Sequence, residues 1–143
     1  MTRVMASGVF DILHTGHISY LEQAKAAGDE LVVVVACDST VRKRKHEPVT
    51  PENMRLKIVQ SLKPVDIAIL GKDTGDFFET LEEIRPDNIM MGFDQTFDEK
   101  QLEMDLRDHG FNTKVMRATE CSEDLNGTRR IIKKILEMKG EVQ

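Results

Sequence analysis

One short apolar run constrains the fold of this chain more than any other feature of its sequence. Residues 31–36 read Leu-Val-Val-Val-Val-Ala, an apolar stretch dominated by β-branched side chains and without polar alternation. Strands of this kind are buried on both faces, which happens where helices cover both sides of a parallel sheet. The run therefore favours an α/β fold.

Strands and helices alternate along the rest of the chain. Gly28 is a stop signal for the first helix, whereas Thr50 and Pro51 supply the N-cap and the first position of the next one. The predicted strands cover residues 3–7, 31–36, 66–70, 88–91 and 113–116, and the predicted helices cover 16–27, 51–62, 76–84, 97–109 and 126–138. Because parallel strands are joined by right-handed crossovers, this alternation predicts a doubly wound, five-stranded parallel sheet in a single domain of residues 1–143.

Composition and charge argue against several classes of protein. The formal net charge is −5, so duplex nucleic acid is a poor partner for the chain as a whole. No apolar run approaches the roughly 18 residues that a membrane span needs, and the N-terminus enters a strand without an apolar leader. We therefore expect a cytoplasmic protein without a membrane partner. Cys37 and Cys121 are far apart in the sequence and are expected to be reduced thiols.

The segment that carries the chemistry is residues 8–17, Gly-Val-Phe-Asp-Ile-Leu-His-Thr-Gly-His. Gly8 permits a sharp exit from the first strand and lets backbone amides approach a ligand. Gly16 and His17 open a helix whose N-terminus attracts anions, and His14 lies three residues earlier, so both rings can face one anion. The spacing favours a polyphosphate site; a metal site or a structural role is the alternative.

A second polar segment is predicted to face the first one. In doubly wound sheets, ligands bind beyond the carboxyl ends of the strands, where the winding reverses direction. The first and the fourth predicted strands each end at a glycine, so Asp94 is expected to lie across a crevice from residues 11–17. The basic residues 42–46 are placed in a loop after the second strand, which can reach over this crevice.

The segment 8–17 resembles the signature of the His-x-Gly-His nucleotidyltransferases, Gly-x-Phe-Asp-x-x-His-x-Gly-His, with every specified position present. The resemblance covers essentially the whole chain. Within this cytidylyltransferase-like family, the chain is most similar to the archaeal FAD synthetases, which are related to glycerol-3-phosphate cytidylyltransferases. Four further segments carry this similarity: residues 36–41, 48–55, 62–71 and 92–95. The resemblance implies a Rossmann-like nucleotidyltransferase fold.

The resemblance also implies roles for individual residues. Those implied to stabilise the phosphates during catalysis are His14, His17 and Lys43, or Lys45 in place of Lys43. Those implied to bind the nucleotide are Val9, Phe10, His14, Thr15, Gly16, His17, Asp94 and Thr128. Asp11 is similar to a position that faces the acceptor or a basic partner. Arg55 matches a family arginine and is assigned to the acceptor, although a solvated helix cation is the alternative. No protein ligand for a metal ion is implied.

The sequence departs from the family pattern before its last helix. Many members carry Arg-Thr-x-Gly-Ile-Ser-Ser/Thr-Thr there, whose hydroxyls and amides bind phosphate. Residues 117–130 of this chain are instead a longer and more acidic segment. Either Thr128 or Ser122 is expected to supply the missing hydroxyl, and Arg129 to add positive charge. Cys121 lies in the same segment and is interpreted as an ordinary free thiol.

The implied reaction needs no catalytic base. A phosphorylated acceptor is already ionised at neutral pH, so positioning and charge neutralisation suffice. The resemblance implies transfer of AMP from ATP to FMN, which gives FAD and pyrophosphate. Mg²⁺ or another divalent cation would be bound mainly through the nucleotide phosphates, and a homodimer would pair through residues 62–70. Three alternatives stay open: a glycerol-3-phosphate or sugar-phosphate cytidylyltransferase or adenylyltransferase, a nucleotide sensor without activity, and a flavodoxin-like electron carrier.

Overall fold

Strands and helices alternate along the chain as the sequence predicts. A computed structural model describes residues 1–44, 46–123 and 125–142, and over these residues the chain forms five strands and six helices. The strands are β1 (Arg3–Gly8), β2 (Glu30–Val35), β3 (Ile67–Leu70), β4 (Asn88–Met91) and β5 (Lys114–Arg117). The helices are α1 (Thr15–Ala26), α2 (Asp38–Arg44), α3 (Glu52–Gln60), α4 (Phe77–Ile84), α5 (Glu99–Asp108) and α6 (Thr128–Val142). In this part of the chain, no helix is long and apolar enough to span a bilayer.

The strands form one parallel sheet with the order β3-β2-β1-β4-β5. Ala6 on β1 lies opposite Val33 on β2 and opposite Met90 on β4. The chain builds outward from β1 to β2 and β3, and then returns to the other side of β1 for β4 and β5. The predicted doubly wound sheet is therefore confirmed, and its winding reverses between β1 and β4, where ligand crevices form in such folds.

Helices cover both faces of the sheet, and β2 supplies side chains to both layers. Leu31, Val33 and Val35 pack with residues of α1 and α3 in one hydrophobic cluster, whereas Val32 and Val34 belong to the cluster beside α4 and α5. None of these five side chains is more than 8% exposed. Burial of each contributes roughly 1.5–3 kcal/mol, so the apolar run that predicts the fold is also the centre of its core.

Helix α2 is absent from the sequence-based prediction. The basic residues 42–44 form its last turn, so their predicted place in a loop is wrong, whereas Lys45 lies outside the described residues. Positive charge is favourable at this end because the C-terminal end of a helix dipole is negative. Val41 is the buried side chain of this short helix, and one buried position cannot produce a periodic apolar pattern.

Helix α3 begins at Glu52, with Pro51 rather than Thr50 at its N-cap and no side-chain hydrogen bond that caps it. The predicted cap is wrong because the Thr50 hydroxyl donates to Asp11 Oδ1 at 2.6 Å instead. The other predicted elements are all present, with ends that differ by a few residues. A contact between distant segments has thus overridden a local capping preference.

Candidate active site

The turn between β1 and α1 has an uncommon backbone conformation. Phe10 and Ile12 have φ angles of 57° and 48°, a left-handed region that bulky or branched residues rarely occupy. Such residues persist where surrounding contacts hold them. Arg55 donates to one carbonyl of this turn at 2.8 Å, and the Thr128 hydroxyl donates to another at 2.8 Å. The turn is therefore held from two sides.

His14 and His17 cap helix α1 reciprocally. The amide of Gly16 donates to His14 Nδ1 at 3.0 Å, and the amide of His14 donates to His17 Nδ1 at 3.3 Å. The two ring centroids are 3.9 Å apart. Because each Nδ1 accepts a hydrogen bond, each neutral ring carries its proton on Nε2. The pair thus supplies two N–H donors at a helix N-terminus, where the dipole also favours an anion.

Burial favours the neutral form of His14. It lowers the pKa of the ring below its usual value, because an imidazolium loses hydration when it is buried. The cap requires the same form, since a protonated Nδ1 cannot accept the Gly16 amide. At neutral pH, His14 therefore meets an anion as a hydrogen-bond donor rather than as a full charge.

Gly16 is required at the start of α1 by close contacts on two sides. A Cβ atom at this position would lie 2.5 Å from the Asn126 carbonyl oxygen and 2.7 Å from His14 Cε1. The first contact joins α1 to the segment that precedes α6, and the second packs the backbone against the capping ring. Any side chain here would displace one or the other.

Arg55 is completely buried, with a relative exposure of 0%. It donates to the carbonyls of Val9 and Ala36 at 2.8 and 2.6 Å, and to Asp38 Oδ1 at 2.7 Å. The alternative of a solvated helix cation is therefore wrong. The guanidinium is directed at protein oxygens, and the predicted contact with an acceptor stays a prediction. Arg55 acts here as a positioning residue that joins the ends of β1 and β2.

Asp11 is likewise turned into the protein. The amides of Val49 and Thr50 donate to its carboxylate at 2.7 and 3.0 Å, in addition to the Thr50 hydroxyl. Burial by itself would raise the pKa of this carboxyl, but the hydrogen bonds outweigh it and the pKa is lowered. Asp11 thereby anchors residues 49–50 beside the crevice, and its predicted contact with the acceptor stays a prediction.

Arg117 organises the loop after β4 that carries Asp94. Its guanidinium pairs with Glu99 and donates to the backbone carbonyls of Gly92, Phe93, Gln95 and Phe97. Asp94 is exposed on this loop, and its nucleoside-binding role stays a prediction. Arg117 is not among the site residues predicted from the sequence. Its place at the end of the fifth strand, on the same edge of the sheet as the site, is a signal that could have identified it.

The divergent segment before α6 lies against α1. The Thr119 amide donates to Gln23 Oε1 at 2.9 Å, and Gln23 Nε2 donates to the Thr119 carbonyl at 3.2 Å. Of the two hydroxyls considered from the sequence, Thr128 is the one that contacts the β1–α1 turn. Ser122 is exposed and lines a cleft on the outer side of α1, and Arg129 is exposed on α6.

Two clefts flank the β1–α1 turn. The first has a volume of about 270 Å³ and opens at the carboxyl ends of β1, β2 and β3, with mostly apolar walls. The second, of about 470 Å³, lies between α1 and residues 120–123, and Thr15 is part of its lining. Both cysteines are free thiols, one in the lining of each cleft.

Two of the described cations line the first cleft, and the predicted phosphate contact of Lys43 stays a prediction. Lys43 is exposed on the last turn of α2 and is not part of the lining, whereas Arg44 and Lys72 are. Arg44 belongs to the basic run noted in the sequence, and Lys72 follows the glycine that ends β3. Their presence in one lining depends on how α2 and the end of β3 pack, which the sequence does not reveal.

Fold and site together define a class of protein. A doubly wound sheet whose switch point carries an amide-rich turn, a helix N-terminus and two imidazole donors is a nucleotide-binding domain of the nucleotidyltransferase type. Residues 5–135 match the family model described as cytidylyltransferase-like. The chain belongs to the cytidylyltransferase-like family, and the prediction of a nucleotidyltransferase enzyme is confirmed.

Similar proteins match nearly the whole chain. The FAD synthase of Aciduliprofundum boonei is 55% identical over 139 residues, which is 96% of this chain and 92% of that protein. The FAD synthase of Thermoplasma acidophilum is 51% identical over 141 residues, which is 99% of each. The crystal structure of the lipopolysaccharide core biosynthesis protein from Thermoplasma volcanium GSS1 is 50% identical and has a TM-score of 0.82, covering 85% of this chain and 99% of that one. The predicted resemblance to archaeal FAD synthetases is confirmed.

Proposed function

We propose that this protein is an FAD synthase that transfers AMP from ATP to FMN and releases pyrophosphate. The proposed activity is the one for which the similar proteins are named. These proteins share about half of their residues with this chain. The structural observation that carries it is the pair of clefts on either side of the β1–α1 turn. Two nucleotides that react through their phosphates need one site each, with the phosphates meeting between them.

The first cleft suits the flavin ring of FMN. Its walls include Val34, Val41 and Phe77, and a flat aromatic ring would bury apolar surface against them. Arg44 adds positive charge for an anionic ligand, whereas the ammonium of Lys72, which also lines the cleft, pairs with Glu83 at 2.6 Å. Glycerol phosphate has too little apolar surface to use such walls. The cleft therefore supports FMN over the smaller acceptor.

The triphosphate of ATP is assigned to the β1–α1 turn. There, the backbone amides of the first turn of α1 and the two histidine rings lie at the helix N-terminus. The residues assigned to the nucleotide are Val9, Phe10, His14, Thr15, Gly16, His17, Asp94 and Thr128. The second cleft, which Thr15 lines, offers space for the adenosine.

The reaction is a single displacement at the α-phosphorus of ATP. A phosphate oxygen of FMN forms a bond to this phosphorus, and the bond from the phosphorus to the pyrophosphate oxygen breaks. The phosphate of FMN is already largely dianionic at neutral pH, so no side chain has to remove a proton. Negative charge develops on pyrophosphate, where His14, His17 and Lys43 stabilise it.

A divalent cation, Mg²⁺ or another, is assigned to the phosphates rather than to the protein. Among the described residues, no three His, Cys, Asp or Glu side chains group as metal ligands. Asp11, the acid nearest to the turn in sequence, already accepts three hydrogen bonds. Phosphate oxygens and water are the usual ligands of Mg²⁺ in such sites.

We also infer a homodimer that pairs through residues 62–70. Strand β3 is an edge strand, and Ile67 on it is 41% exposed. Met54 and Ile58 are exposed on the adjacent helix α3. An open edge beside exposed apolar side chains favours association. The acidic net charge and the free thiols support a cytoplasmic enzyme without nucleic-acid or membrane partners.

A sugar phosphate is the second candidate acceptor. The observation that favours it is the name of the Thermoplasma volcanium protein, which refers to lipopolysaccharide core biosynthesis. The same phosphate cradle would serve both reactions, since the acceptor phosphate is the nucleophile in each. The first cleft distinguishes the two acceptors, because the walls of this cleft are mostly apolar whereas a sugar is polar.

The test supplies the purified protein with MgCl₂ and each pair of substrates. ATP with FMN is expected to yield FAD and pyrophosphate in equal amounts, measured by chromatography and a coupled pyrophosphate assay. CTP with glycerol 3-phosphate, and ATP with a hexose phosphate, are run in parallel and are expected to yield little. Turnover with either of these pairs and none with FMN would overturn the proposal.

A further inference from the structure

Strands β1 and β4 part where the crevice begins. They pair as far as Ala6 and Met90, although both strands continue beyond that point. One strand leads to the β1–α1 turn, and the other leads to the loop that carries Asp94. Where the two strands separate, the backbone N–H and C=O groups need another hydrogen-bond partner, because a buried polar group without one lowers the stability of the fold.

The hydroxyl of Tyr20 occupies the place where the two strands part. It accepts a hydrogen bond from the Ser7 amide at 3.2 Å and donates to the Met90 carbonyl at 2.6 Å. The Ser7 carbonyl, at 3.3 Å, is a second acceptor within reach. One side-chain oxygen therefore links β1 to β4. Tyr20 lies one helical turn after His17, so the helix that carries the anion donors also carries this link.

The electrostatic surroundings of Tyr20 keep its hydroxyl protonated. Burial raises the pKa of the phenol, the hydrogen bond from the Ser7 amide opposes this, and the nearby Asp94 carboxylate raises it further. The bond that Tyr20 donates to Met90 is consequently present throughout the neutral range. The acceptor Met90 is the penultimate residue of β4, so the phenol lies close to the loop that follows this strand.

We propose that Tyr20 is a positioning residue, whose hydroxyl sets the separation between the β1–α1 turn and the loop after β4. The inference rests on the proposed function, since it takes the turn as the triphosphate site and Asp94 as a nucleoside contact. No contact between Tyr20 and a substrate is required. Without the hydroxyl, the Ser7 amide and the Met90 carbonyl lose their bridge, and the two walls of the site are no longer held in register.

The experiment compares Tyr20→Phe with Thr113→Val. Thr113 is also buried, and its hydroxyl donates to the Pro86 carbonyl at 3.0 Å. It lies just before β5, at the end of the sheet opposite to the crevice. Each variant loses one hydroxyl that binds backbone, so a similar decrease in Tm is expected for both. Assays are run at a temperature at which circular dichroism shows both variants to be folded.

Tyr20→Phe is expected to weaken binding of a non-hydrolysable ATP analogue, and to lower kcat/KM for ATP, each by about tenfold. The KM for FMN should change by less than the affinity for the analogue, because the Tyr20 hydroxyl contacts the lining of the first cleft through the backbone of one residue, Ser7. Thr113→Val should leave all three quantities at their wild-type values. Equal analogue binding and equal kcat/KM in the two variants would overturn the inference.

The analogue measurement separates this inference from the proposed function. A wild-type protein that binds the analogue but makes no FAD would contradict the proposed function alone. The comparison of analogue affinities would then still decide the role of Tyr20. A wild-type protein that does not bind the analogue would overturn both.

Discussion

His14 and His17 each use one ring nitrogen to cap helix α1 and keep the proton on the other. This division follows from the hydrogen bonds that their Nδ1 atoms accept. A serine or threonine would cap the helix equally well, but it could not place an extended N–H donor at the same point. The imidazoles thus connect the local structure of the turn to its capacity to hold an anion.

We expect His17→Ala to lower kcat by about 10²–10³-fold while ATP affinity changes only a few-fold, because the donor acts mainly on charge that develops during transfer. Steady-state kinetics and calorimetry with an ATP analogue measure the two effects. His17→Asn, which keeps a possible acceptor for the helix cap, separates capping from donation. His109→Ala, on the surface stack with Phe78, is the control. Loss of ATP binding with unchanged kcat would contradict the assigned role.

Arg55 shows how a charged side chain becomes part of the core. We expect Arg55→Met to lower the free energy of unfolding by about 3–5 kcal/mol, because Asp38 and the backbone carbonyls lose a buried partner. Urea denaturation measures this change. Arg107→Ala removes an exposed arginine with a 3.9 Å ion pair and should cost at most about 1 kcal/mol. Equal effects in the two variants would show that burial of the guanidinium contributes no stability.

Among the secondary-structure elements, two helices have their N-termini at the crevice. Helix α1 presents its first turn to the crevice, and α6 begins at Thr128, whose hydroxyl donates to the turn. Most of the exposed surface of α6 lies beyond residue 132. Its first turn is therefore the part that connects this helix to the site.

We expect Thr128→Val to lower stability by roughly 1 kcal/mol and to lower kcat/KM for ATP, because the turn loses one of its two supports. Thr128→Ser keeps the hydroxyl and should retain most of the wild-type activity. Urea denaturation and steady-state kinetics measure these outcomes. Loss of activity in Thr128→Ser but not in Thr128→Val would show that the methyl group rather than the hydroxyl of Thr128 is what matters.

For the whole molecule, the free energy of unfolding depends on pH, because folding lowers the pKa of several carboxyl groups. Three aspartates among the described residues have a lowered pKa: Asp11, Asp38 and Asp66. In the first two, burial would raise the pKa, but hydrogen bonds from Thr50 and Arg55 respectively contribute to a net lowering. In the third, the hydrogen bond from the Lys25 ammonium is the main cause. All three folded-state pKa values lie below that of an unfolded aspartate.

These carboxylates contribute stability that is fully present above the unfolded pKa of about 4 and is lost as the pH falls through the lower folded values. We therefore expect the free energy of unfolding to decrease as the pH falls below about 4. Urea denaturation across this range measures the decrease. Asp66→Asn should make it shallower, whereas Asp108→Asn, at an exposed position of α5, should not. A stability that is constant across this range would contradict the prediction.

Much of the fold could be predicted because its signals are local and repeated. The run at residues 31–36 identifies a strand buried on both faces, and glycines or capping residues mark most element ends. Helix α2 escaped prediction because it is short and buries only Val41. The cap of α3 was assigned wrongly because a distant carboxylate competes for the Thr50 hydroxyl. Local sequence patterns predict the structure correctly where few contacts between distant segments compete for the same groups.

The sequence by itself determined the doubly wound sheet and the residue types of the anion cradle, because both follow from spacing along a short stretch of chain. Only the tertiary structure decided the tasks of Asp11 and Arg55, which a motif would assign to a ligand and which instead bind the protein itself. Apart from the Thr50 carbonyl, which accepts from Arg55 over five residues, their partners lie 17 to 46 residues away in the sequence. Spacing along the chain cannot specify such contacts, because they exist only after the strands and helices have packed.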